Sequence, residues 1–178
     1  PGGSSGGAAS SVAAGITAVS LFSSFQAQIQ AVQFWWWLRK ARVDQPPIFV
    51  LGHWRAGTTL LHEMMVLDPR HASPTTYACL APSHFVSTEY LSGRFLNFLL
   101  PAHRPMDNMP TGWKRPQEEE FALANLGIPS PYVTIASPNH PPQYQEYLTL
   151  EGLPPAEVER WKQGLMKFLS HVCYRAPN

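Results

Sequence analysis

Gly52-His53-Trp54-Arg55-Ala56-Gly57-Thr58-Thr59 combines two glycines, a guanidinium and two hydroxyls in a spacing suited to gripping an anion. A short apolar run, Ile48-Phe49-Val50-Leu51, leads into it, and a stretch with helical spacing follows from Thr58 to Met65. Strand, glycine loop and helix in that order aim backbone N–H groups and the positive end of a helix dipole at a bound anion. The glycine spacing is that of a triphosphate-binding loop, with one departure. Thr58 stands where such loops carry the lysine that reaches the β- and γ-phosphates. The cation lies inside the loop instead, as Arg55. From the loop apex, its planar fork suits a phosphate ester, or a bridging oxygen that gains charge as a group leaves. The arrangement asks for a 5′-phosphate and for no metal. The alternative is a tight β–α turn whose glycines only permit close packing.

The stretch resembles the 5′-phosphosulfate loop of PAPS-dependent sulfotransferases, [KR]-S-G-T-T after the first strand, where PAPS is 3′-phosphoadenosine 5′-phosphosulfate. It is most similar to the bacterial branch that reads GHWRSGTTLLH; here Ala56 replaces the serine and removes one hydroxyl from the cradle. The resemblance implies sulfuryl transfer from PAPS to a hydroxyl or amine, with Arg55 balancing charge on the departing phosphate. It places the donor on Gly52, His53, Trp54, Arg55, Ala56, Gly57, Thr58 and Thr59, through the amides of 56–59 and the two threonine hydroxyls. Such enzymes take the acceptor's proton with His or Glu. Thr75 and Thr76 end the expected second strand, so the nearest groups of that kind are His84 and the run Glu118-Glu119-Glu120, with Glu120 as the carboxylate candidate. An imidazole titrates near neutrality and suits a base. His84 reads equally as a capping residue, and the glutamates as charge complements to a helix N-terminus.

These groups need elements to carry them. The resemblance implies a P-loop-like three-layer α/β fold with a short parallel sheet, its first strand at Ile48–Leu51 and its second near 71–77. A mixed helix is expected from Phe85 to Leu100. Residues 101–116 form a polar and aromatic loop that reads either as a substrate rim or as a self-supported excursion. Pro116 begins a short helix stopped by Gly127, with acids in its first turn. A brief β-like piece is expected over 132–136. Pro154-Pro155 opens an amphipathic helix whose apolar stripe is Val158, Trp161, Leu165, Phe168, Leu169 and Val172.

Three segments result: a flexible lead-in over 1–11, an uncharged helix over 12–43, and the N-terminal part of a sulfotransferase-like domain over 44–178. Residues 12–38 contain no charge, end in Phe34-Trp35-Trp36-Trp37-Leu38 and meet Arg39, Lys40 and Arg42. That pattern fits a helix lying at a membrane interface, while Gln26, Gln28, Gln30 and Gln33 make a full span less comfortable. A helix packed on the domain or on a partner fits as well. The charges lie on the wrong side of the apolar run for a cleaved signal peptide.

With 178 residues and 44% hydrophobic content the chain can bury a substantial core. A formal net charge of +1 gives no nucleic-acid footprint. Cys79 and Cys173 have no metal spacing, and a reduced, cytoplasmic setting is the default, with the membrane surface an open alternative. His62-Glu63 lacks a second histidine at Val66, so no zinc helix is expected. In the resembled family a strand-Arg-Ser motif also grips the 3′-phosphate, and residues 44–178 carry the 5′ grip without that motif, so the resemblance covers only the first half of the family's fold. The exposed edge of an incomplete sheet then calls for a covering partner. The functional expectation is a sulfotransferase acting on a small-molecule, glycan or lipid acceptor. Its rivals are a catalytically silent relative within a larger assembly and a nucleotide phosphotransferase, which Thr58 argues against.

Overall fold

The computed structural model describes residues 28, 32, 38–53, 56–95, 100–103, 109–136 and 139–176. The lead-in and nearly all of the uncharged stretch over 12–38 lie outside them, as do Trp54 and Arg55. Among the described residues no helix is long and apolar enough to cross a membrane.

A 3-10 turn, Leu38–Lys40, precedes an irregular segment that reaches the glycine loop. Helix α1, Thr58–Met65, follows the loop. Helices α2 (Thr76–Leu80) and α3 (Phe85–Phe95) come next. Helix α4 is Glu119–Asn125 and α5 is Val133–Ala136. After a 3-10 turn at Gln145–Leu148, the long helix α6 spans Pro155–Arg175.

The core lies between α2, α3, α4 and α6. Tyr77, Ala78 and Cys79 of α2 pack with Phe85, Trp113, Ala122, Phe168 and Val172. The Phe85 and Phe168 rings sit 5.8 Å apart, and Tyr77 meets Trp113 edge-on at 5.8 Å. Leu123, Ile128 and Leu165 form a second cluster, with Trp161 and Leu169 against it. These contacts use the apolar stripe read from the sequence for α6. Gly164 lets α6 approach this cluster, since a Cβ there would meet Ile128 Cδ1 at 2.1 Å. Pro155 at the first turn of α6, and Gly127 at φ 76° beyond α4, punctuate the helices as expected.

The strands are where sequence and structure part. Among the described residues no strand forms; only isolated antiparallel bridges join Thr75 to Pro116 and His103 to Pro110. The expected second strand, near 71–77, ends instead in helix α2. Thr75 has extended backbone angles, but its hydroxyl caps the helix by accepting the Ala78 amide at 3.1 Å. The β-like piece at 132–136 is helical from Val133, after Ser130 Oγ takes the Tyr132 amide at 3.1 Å. At Ile48–Leu51 the chain is neither helical nor paired, and Ile48, Phe49 and Leu51 are 63%, 48% and 88% exposed. A strand's polar backbone and alternating side chains need a neighbour, and no strand stands beside it among the described residues. Tyr90 of α3 faces solvent. Both cysteines are free; Cys79 is buried, and burial pushes its thiol pKa up.

His171 of α6 is buried against Phe85, and burial holds its imidazole pKa down to about 4. The native state therefore binds fewer protons than the unfolded chain between about pH 4 and the ordinary value of 6.5. This contribution is complete above pH 6.5 and is lost as the pH falls. Urea unfolding from pH 7 to 4.5 is expected to show His171→Phe losing less stability than the natural chain. Equal losses would remove His171 from the acid sensitivity.

Candidate phosphate-binding turn

Helix α1 starts from Gly57, whose φ of 87° lies in the left-handed region that glycine enters without strain. Among the described residues no side chain caps this terminus. The turn before it is closed by the Ala56 amide, which donates to the His53 carbonyl at 3.0 Å. Leu61 N–H donates to the Gly57 carbonyl at 3.0 Å and begins the helical ladder. Between these two bonds, the amides of Gly57, Thr58, Thr59 and Leu60 have no acceptor among the described residues. Unpaired N–H groups at the positive end of a helix are the donors an anion needs. The sequence expectation placed Ala56 among them; its amide is instead spent on closing the turn.

Gly52 is tightly fitted. A Cβ added there would stand 2.7 Å from Thr58 Cγ2, so the loop returns on itself and brings its first residue against the start of α1. Around Gly57 there is open space where a Cβ would stand, so its requirement is conformational rather than steric. The two glycines of the motif therefore serve different needs.

The turn opens onto a broad cleft of about 1870 Å³. Gly52, Thr58, Thr59, His62, Met65 and Val66 line one side; the α1 residues recur at helical spacing. Glu118, Glu119, Glu120, Tyr132 and Thr134 line another part of the same cleft. Ile48, Phe49 and Leu51 contribute apolar walls.

Among the acids, Tyr132 Oη donates to Glu118 Oε2, and burial and this carboxylate together raise the tyrosine pKa. Burial also raises the Glu120 pKa, with the neighbouring Glu119 and Glu118 charges adding to it and a Ser130 hydrogen bond opposing it. Glu119 and Glu120 occupy the first turn of α4, where negative charge complements the helix dipole. Tyr132 carried no functional signal in the sequence; only the fold brings it to the carboxylates.

His84 lies elsewhere. Its Nδ1 is 2.9 Å from Thr88 Oγ1, and it does not line the cleft that Thr58, Thr59 and Glu120 share. Partial burial lowers its pKa. His53 is exposed in the loop, Trp54 and Arg55 lie outside the described residues, and the rim segment is described only at 101–103 and 109–116.

The contact at Gly52 can be tested directly. Gly52→Ala is expected to reduce unfolding free energy by about 1–3 kcal/mol. Thr58→Ser in the same chain, which removes Cγ2 and keeps the hydroxyl, is expected to recover most of that loss. An equal loss with and without the serine would mean that the two residues do not meet.

A profile of the sulfotransferase family matches residues 46–143, more than half of the chain and the whole of the glycine turn. The chain is 48% identical over 159 residues to the omega-hydroxy-beta-dihydromenaquinone-9 sulfotransferases Stf3 of Mycobacterium bovis and Mycobacterium tuberculosis. That alignment covers 89% of this chain and 41% of each relative, so the chain spans about two fifths of their length. No solved structure matches significantly. Membership implies a P-loop-like α/β fold, although the sheet is not formed among the described residues. With its glycine turn inside the matched span, the chain belongs to the sulfotransferase family.

Proposed function

We propose that the protein takes part in moving a sulfuryl group from PAPS to a hydroxyl on an apolar, lipid-like acceptor. The observation that carries this reading is the turn at Gly57, where the amides of Gly57, Thr58 and Thr59 have no acceptor among the described residues and Thr58 and Thr59 line a cleft. The group fits these residues: the N–H groups of Gly57, Thr58 and Thr59, without an acceptor among the described residues, match an anionic phosphate, and Gly52 lets the loop return against Thr58 at the start of α1. Arg55 is assigned to the same phosphate by the motif. When bound, PAPS supplies the sulfuryl group and an anionic bisphosphate leaving group.

The chain's own residues hold the phosphate and manage one proton. Glu120 is the preferred base, because it shares the cleft with Thr58 and Thr59 whereas His84 does not. Its carboxylate accepts the acceptor's hydroxyl proton, and a pKa raised by burial makes it a stronger base than an exposed carboxylate. The acceptor class is supported by two things. Ile48, Phe49 and Leu51 give the cleft apolar walls, and the mycobacterial relatives are named for a hydroxylated menaquinone derivative.

Calorimetric titration with adenosine 3′,5′-bisphosphate tests the donor site. Binding by the natural chain, and its loss in Arg55→Ala with an unchanged circular dichroism spectrum, is the expected result. Silence in the natural chain would favour a non-catalytic member of the family, and equal affinity for ATP with Mg²⁺ would favour a phosphotransferase.

The base assignment makes a separate prediction for sulfuryl-transfer assays. Glu120→Gln is expected to lower kcat by about 10²–10⁴-fold, and His84→Gln to change it little. Activity is expected to fall on the acid side through a pKa above the ordinary glutamate value of 4.5, since the carboxylate must be ionised to accept a proton. The reverse ranking of the two variants would transfer the role to His84.

A further inference from the structure

Helix α1 must be aimed correctly for its amides to meet an anion, and little in its own make-up aims it. Eight residues give barely two turns, a length at which isolated helices are marginal. None of its residues is buried, and Leu60, Leu61 and Met64 face outward. The described ion pair between α1 and the rest of the chain joins Glu63 to Arg115, whose Nη1 donates to Glu63 Oε1 at 3.0 Å.

Arg115 is braced from behind. Its carbonyl accepts the Thr76 amide at 2.8 Å and the Thr76 hydroxyl at 3.2 Å, and its amide donates to the Gly112 carbonyl at 3.1 Å. On either side, the Tyr77 amide bonds the Trp113 carbonyl and the Gln117 amide bonds the Pro74 carbonyl, each at 3.0 Å. Trp113 is itself part of the core. The guanidinium thus projects from a strap fastened to α2, and it crosses 52 positions of sequence to reach α1.

Glu63 stands four residues after Thr59, so the two share one face of the helix. A clamp on Glu63 therefore sets the rotation of α1 about its axis, and with it the direction of Thr59 and the first-turn amides. With side chains 42% and 20% exposed, the pair contributes little to global stability. Direction is what it fixes.

We infer that the Arg115–Glu63 ion pair is the positioning clamp of the phosphate turn, holding α1 so that the amides of Gly57, Thr58 and Thr59 face the cleft. This rests on the phosphate reading of the turn given above. Neither residue touches the anion; both act through the helix.

The test uses the full chain with Arg115→Met, Glu63→Gln, and the exchanged pair Glu63→Arg with Arg115→Glu. Amide hydrogen exchange over 61–65 is expected to quicken about three- to tenfold in each single variant, with exchange in α6 unchanged. Affinity for adenosine 3′,5′-bisphosphate is expected to fall by a similar factor, and the exchanged pair to recover both readouts. Unaltered α1 exchange in both single variants would overturn the clamp, whatever the nucleotide does. So would quickened exchange with undiminished affinity, which would leave the pair without influence on the turn. A natural chain that binds no nucleotide would instead overturn the phosphate reading, and the role inferred for the clamp with it.

Discussion

A helix that begins on Gly57 in a left-handed conformation, with no capping side chain among the described residues, presents a first turn of N–H groups that water, a ligand or another part of the chain must satisfy. Folded proteins rarely leave such donors unpaired where a cap is within reach. Here the Ala56 amide closes the turn and the Leu61 amide starts the ladder, which isolates the donors between them at a cleft. Gly52 tightens the same loop by admitting Thr58 where a side chain would stand. The site is therefore a property of backbone path more than of side chains, and Ala56 in place of a serine is compatible with it.

The rest of the described chain supplies a frame. Aromatic and aliphatic contacts among α2, α3, α4 and α6 make a small helical body that does not depend on α1. The body meets the turn in two ways. Pro116 to Glu120 bring carboxylates to the cleft that Thr58 and Thr59 line, and Arg115 reaches over to Glu63. One short stretch after Trp113 thus carries both the acidic side of the cleft and the contact to α1. Burial of Glu120 beside two other glutamates follows from that crowding, and the raised pKa follows from the burial.

Much of this was legible from residue types. The glycine stop of α4, the proline start of α6 and the apolar stripe of α6 report local preferences that tertiary packing reinforces, whereas Pro116 bridges to Thr75 and α4 begins only at Glu119. The glycine turn was legible because its spacing serves backbone geometry directly. The strands were not. Thr75 looks like a β-branched strand residue, yet its hydroxyl can cap a helix, and the sequence alone does not choose between those uses. Val133–Ala136 has strand-like composition in a segment too short for propensity to decide. Ile48–Leu51 has the composition of a buried strand, but pairing comes from neighbours rather than from the run itself. His84 and Glu120 were both base candidates by residue type, and their different places, Glu120 at the cleft and His84 against Thr88, come only from the fold. The Glu63–Arg115 pair spans too much sequence to be visible as a pattern.

Anion binding by the first-turn amides of α1 is the claim on which the functional reading turns. Nuclear magnetic resonance of the ¹⁵N-labelled chain, titrated with adenosine 3′,5′-bisphosphate, addresses those N–H groups one by one. Gly57, Thr58 and Thr59 are expected to show the largest amide shifts, and the Ala56 amide, already bonded to His53, to move less. Nucleotide binding that leaves the amides of 57–59 in place while shifting resonances elsewhere would contradict it.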